Sequence, residues 1–108
     1  MNSTLTKIFL ASIEYHFSPE SAGVEKHLGG FVYCFVRASN KQEAMKRVRR
    51  ELHEQSREIV EVEFLELYDS KMEWETKAET LKFKKLSEKA AAMDIVVFDT
   101  FHEYKKME

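Results

Sequence analysis

Four residue types are scarce in these 108 residues: there is one cysteine, one proline, one tryptophan and three glycines. A lone thiol excludes an intrachain disulfide and any thiolate-rich zinc site. Cys34 also lies inside an apolar run, where cysteine packs as an inert small hydrophobe. There is no glycine-rich loop to cradle a phosphate, no cluster at metal-ligand spacing and no Ser/His/Asp or Cys/His arrangement, and the four histidines fall on four separate segments. No catalytic residue, metal or cofactor is therefore expected. Charge of one sign is missing too, since 17 basic and 19 acidic residues leave a net charge of −2, no overall field to draw in nucleic acid or anionic membrane. No window approaches the roughly 18 uninterrupted apolar residues of a membrane helix. The start lacks the charged-then-apolar pattern of a secretory signal. The expected location is cytoplasmic, with no membrane partner.

What is present is a globular composition, 44% hydrophobic and 33% charged, in a chain long enough for one domain spanning residues 1–108. Residues 29–68 organise it as an apolar run, a capping signal, an amphipathic charged segment and a second apolar run. Ahead of this unit, Phe9, Ala11, Ile13, Tyr15 and Phe17 alternate with Ile8, Leu10, Ser12, Glu14 and His16. That is a strand over 7–17 whose second face begins apolar and ends polar, with His16 an ordinary surface histidine. Pro19 and Gly23 break all periodicity over 18–27, a loop longer than a tight hairpin needs.

Gly29-Gly30 opens a strand over 31–38 that is apolar on both faces, Phe31, Tyr33 and Phe35 against Val32, Cys34 and Val36. Such a strand sits inside a sheet and is covered on both sides, by helices on one and by a second layer or a partner subunit on the other. Ser39…Gln42 and Asn40…Glu43 each have capping-box spacing. In the helix that follows, Ala44, Met45, Val48 and Leu52 share one side. Its KRVRR run, residues 46–50, has acidic neighbours at the i,i+4 pairs Glu43/Arg47, Arg47/Glu51 and Arg50/Glu54, and reads as a solvated, salt-bridged face.

A strand over 59–68 places Val60, Val62 and Phe64 inward and Glu61 and Glu63 outward, with a change of parity after Phe64 that a β-bulge would produce. The glutamates read as edge protection. Ser70…Glu73 has the spacing to cap a short turn, with Met72 or Trp74 anchoring it. Phe83, Leu86, Ala90 and Met93 define a helix over 81–93. A strand over 95–101 is apolar but for Asp99, a carboxylate that must be paired or near an edge. Asp99 and His102, three apart, fall on opposite faces of an extended strand. The polar tail 103–108 reads as frayed.

The element order is β-β-α-β-α-β. Right-handed crossovers then place both helices on one face of a sheet of about four strands, an α+β two-layer sandwich whose other face needs a cover. The run GGFVYCFVRASNKQEAMKRVRREL resembles the third strand and second helix of an RNA-recognition motif. The resemblance implies Phe31, Tyr33 and Phe35 as a base-stacking row and Glu43-Ala44 as the helix pair. The first strand, helix and second strand of that family do not fit into the first 28 residues, and Leu28-Gly29 stands where its basic residue belongs, so nucleic acid is not the expected partner. GGFVYCFVRASNKQEA, VEVEF and LSEKAAAMDIVVFDTFHEY together are similar to small uncharacterised bacterial αβ proteins of ferredoxin-like appearance, which implies a fold and no activity. Toxin-neutralising immunity proteins of this size and acidity offer an analogy.

The function expected is a non-catalytic protein-interaction domain, either a homo-oligomer joined through its sheet or a module that occupies a protein partner. Phe31, Tyr33, Phe35, Trp74, Asp99 and His102 are the candidate interaction residues. Were the chain an enzyme, Asp99, His102, His16 and Tyr33 would be the residues around its site.

Overall fold

A computed structural model describes residues 6–17, 27–69, 71 and 74–105. The expected cap at Ser70…Glu73 with Met72, most of the 18–27 loop and the end of the tail lie outside the described residues. The chain is α+β, with elements in the order β1 (Lys7–Phe17), β2 (His27–Ala38), α1 (Lys41–Glu54), β3 (Arg57–Leu67), α2 (Lys77–Met93), β4 (Val97–Phe98) and β5 (His102–Lys105). The sheet is antiparallel throughout, in the order β3-β1-β2-β4, with β5 pairing the other half of β2. No helix among the described residues is long and apolar enough to cross a membrane.

Local signals set these elements. Asn40 accepts the Glu43 N–H at 2.8 Å, and Glu43 reaches back to the Ser39 N–H and hydroxyl at 2.6 and 2.7 Å. Cap and reach-back thus use neighbouring residues, and the Asn40 cap alone contributes about 1 kcal/mol. Thr76 caps α2 by accepting the Glu79 N–H, so this helix begins four residues before its apolar periodicity does. It ends at Asp94 in the left-handed region, φ 55°.

The sequence places both helices on one face, and the structure separates them. Ala44, Val48 and Leu52 of α1 bury Phe9, Ala11, Ile13, Tyr15, Val32, Cys34 and Val36. Phe83 and Ala90 of α2 pack with Leu10, Phe35 and Val97, residues of opposite parity on the same strands. The molecule is a three-layer stack of helix, sheet and helix. The reason is topological: β2 and β3 are parallel to one another, both being antiparallel to β1, so the handedness rule governs α1. β4 runs antiparallel to β3, so no such rule constrains α2. It settles where apolar surface remained, over Tyr33 and Phe35. The second cover that β2 needs is thus a helix of the same chain.

Two other expectations change. The parity of β3 shifts twice, at Val60 and Glu63, which sit between the pairs Tyr15↔Ile59, Glu14↔Glu61, Ile13↔Val62 and Ser12↔Phe64. These two bulges put Ile59, Val62 and Leu65 on the α1 side together and leave Val60 half exposed. The last strand is broken into β4 and β5 by one extra residue around Thr100, between Cys34↔Phe98 and Phe31↔His102. Asp99 and His102 therefore share a face, contrary to simple alternation. The first half of the tail expected to fray, residues 103–105, belongs to β5.

Candidate interaction face

β1 and β2 are longer than either helix can cover, so one end of each sheet face must be closed by side chains or left open. On the α1 side it is closed. The Arg57 guanidinium lies 4.1 Å from the centre of the Phe101 ring, 5.1 Å from Tyr15 and 5.2 Å from Phe17. It donates to Glu103 at 3.0 Å, and the same carboxylate accepts the Tyr15 hydroxyl at 3.3 Å. The Arg57 side chain is only 16% exposed. Three aromatic rings and a carboxylate hold one cation, each ring adding electrostatic attraction to the ion pair.

The α2 side differs. Strand register lays its residues out in three rows running from the β4–β5 edge across β2 and β1 to β3. Nearest α2 come Asp99, Tyr33, Ser12 and Phe64. The second row is His102, Phe31, Glu14 and Glu61, and the third is Tyr104, Gly29, His16 and Glu58. The first row is sealed: Tyr33 packs against Phe83 and Phe64, and the Ser12 hydroxyl donates to Glu63 at 2.6 Å. The Asp99 side chain, 9% exposed, pairs with Lys82 at 3.1 Å.

The outer two rows are open. Phe31 is 38% exposed, with the Tyr104 ring 5.6 Å away. The Tyr104 hydroxyl donates to Glu14 at 2.8 Å. Burial, followed by the Glu14 carboxylate, pushes this phenol up to about 12. Gly29 is required here, because a Cβ would collide with the Tyr15 carbonyl and lie 2.8 Å from the His16 ring. Its bare backbone lets His16 and Tyr104 approach edge to face at 6.3 Å. Glu14 and Glu61 stand directly opposite one another on β1 and β3. Among the described residues no cation is paired with either.

Of the six residues singled out from sequence, Phe31 and His102 lie together on this open face. Tyr33 and Asp99 form its sealed border, and Phe35 is fully buried against Phe83 and Tyr68. Trp74 packs on Phe83 at 4.8 Å as a core anchor. Sequence reasoning missed Glu14, Glu61 and Tyr104 as members of the face. The polar end of the first strand and the outward glutamates of the third carried that signal, but the register joining them is not local information.

The KRVRR helix face also differs from its sequence reading. Arg47 leaves the helix surface to donate to the Arg37 carbonyl at 2.6 Å and to Asp94 at 2.8 Å, bolting α1 to the end of α2. Glu43 is engaged by Ser39 instead. Those contacts hold the Asp94 and Glu43 carboxyls below their ordinary values. Among the described residues no ion pair involves Lys46, Arg49 or Arg50. These residues line a shallow depression along the N-terminal half of α1. No group of three metal-ligating side chains occurs among the described residues. Comparison with protein-family models, curated proteins and solved structures gives no match.

Proposed function

We propose that this chain is a non-catalytic, cytoplasmic protein-interaction domain and that it binds through the two open rows of the α2-side sheet face. The observation that carries this reading is Phe31, a large aromatic 38% exposed at the centre of a flat antiparallel surface. Among the described residues, the ring beside it is that of Tyr104. Exposed aromatic centres with polar rims are what binding surfaces are built from. Depressions lined by described residues run along α1 and beside the second half of α2.

A different protein suits this face better than a twin does. A two-fold contact through these rows would bring Glu14 and Glu61 of one copy toward the same carboxylates of the other, with His16 and His102 the basic side chains of the rows among the described residues. An immunity-type protein that occupies a toxin is one role consistent with this. Base stacking is disfavoured by the same carboxylates, which repel phosphate, and by the Phe83 and Phe64 rings that flank Tyr33.

Capture from extract of the source cells with immobilised wild type and Phe31→Asp tests the reading. A protein retained by the wild type and lost by the variant, with the circular dichroism of both alike, supports it. Retention by both refutes it. Light scattering of the free chain separates the twin: a dimer dispersed by Phe31→Asp makes the partner a second copy.

A further inference from the structure

The two faces of the sheet carry the same chemistry with one difference. On the α1 side, Tyr15, Phe17, Phe101 and Glu103 enclose the Arg57 guanidinium. On the α2 side, Phe31, Tyr104, Glu14 and Glu61 make a comparable set of rings and carboxylates, and the chain brings no arginine or lysine to it among the described residues. Like charges directly opposite one another on paired strands destabilise a sheet. Glu14 and Glu61 are such a pair, and a cation seated between them would offset their like charge. A guanidinium offers what the site lacks: a planar face to lie on Phe31 or Tyr104, and a fork of N–H donors for two carboxylates.

We infer that the open face is a docking surface for an arginine-rich segment of a partner protein, with a guanidinium seated over Phe31 and donating to Glu14 and Glu61. This rests on the reading of that face as the interaction surface and names what it takes. Complementarity of charge and of ring chemistry fits that occupant better than an apolar groove-filler, for which the carboxylates would be buried unpaired. Arginine rather than lysine follows from geometry, since the planar guanidinium can lie on a ring while the fixed fork of its edge donates to two carboxylates.

Calorimetric titration of the full chain with octa-arginine, octa-lysine and octa-glutamate at low salt tests it, with amide NMR shifts to locate the contact. Expected is saturable binding of octa-arginine, weaker binding of octa-lysine, none of octa-glutamate, and shifts centred on Glu14, Phe31, Glu61 and Tyr104. Glu14→Gln and Glu61→Gln each weaken octa-arginine by about tenfold, and Phe31→Leu by roughly threefold to fivefold. Glu79→Gln, on the first turn of α2, is the control and leaves the affinity unchanged. Equal loss in the Glu79→Gln control, or shifts spread over every acidic surface, means bulk electrostatics and overturns the inference, as does absence of binding. Should octa-arginine fail while a captured protein still depends on Phe31, the interaction face stands and the arginine partner falls.

Discussion

The sheet is the same object seen from either side, yet its two faces end differently, and the cause is a mismatch of lengths. β2 has 12 residues, roughly 40 Å at about 3.3 Å each. α1 has 14 and α2 has 17, which at 1.5 Å per residue gives roughly 21 and 25 Å. Neither helix can roof the strands alone. On the α1 side the uncovered end is finished with Phe17, Phe101 and a captive arginine. On the α2 side it is left with an exposed ring and two facing carboxylates that no cation among the described residues pairs. A chain able to close one end with its own side chains leaves the other open at a cost, and an uncompensated cost points to function rather than folding.

The sharpest way to break this comparison is to move along the α2 face from its covered to its open half. Phe83 is 3% exposed and touches Tyr33, Phe35 and Trp74. Phe83→Ala is expected to cost about 3–5 kcal/mol, and Phe31→Ala, on the same strand face, less than about 1 kcal/mol. Urea unfolding of both decides it. Comparable losses would mean that the face is closed after all and that Phe31 is core.

A smaller effect compares the enclosed guanidinium on the α1 side with the facing carboxylates on the α2 side. Arg57→Ala removes the guanidinium from three rings and from Glu103 and is expected to destabilise by about 1–3 kcal/mol. Glu61→Gln, on the other side, relieves the repulsion with Glu14 and is expected to stabilise by a few tenths of a kcal/mol. The opposite signs are the point of the pair. A loss of stability in Glu61→Gln would show that Glu61 already has a partner within the chain.

Much of this was legible in the residues. β1 is bounded as its alternation requires, α1 starts at a cap the spacing announces, and the two apolar faces of β2 correctly demand two covers. What alternation could not carry was anything that depends on a bulge or on pairing. Two bulges in β3 and one between β4 and β5 decide which side Val60, Asp99 and His102 take, and a single extra residue inverts every later assignment. The side chosen by α2 depends on strand direction, which no window of sequence contains. Arg57 was unreadable for the same reason: its aromatic box is assembled from β1 and from residues more than forty positions further on.

The weakest coupling is electrostatic and lies at the far end of the molecule from the open face, where Arg47 ties Asp94 to α1. The hydrogen bond and charge of Arg47 hold Asp94 below its ordinary value, and the Ser39 hydroxyl and N–H do the same for Glu43. A carboxyl whose folded pKa is depressed contributes stability that is in full force above its unfolded pKa, roughly 4. That contribution drains away as pH falls through the lower, folded value. Asp94→Asn keeps a residue that tolerates the left-handed backbone but cannot be ionised. At neutral pH the variant is expected to unfold at slightly lower urea than the wild type. The gap should narrow as pH drops below 4, because the wild-type carboxyl is then being neutralised as well. High salt should shrink it too, since the Asp94 carboxylate is open to solvent. A gap that stays constant with pH would assign the role of Asp94 to its backbone, through the carbonyl that Arg47 also grips at 2.7 Å, and not to its charge.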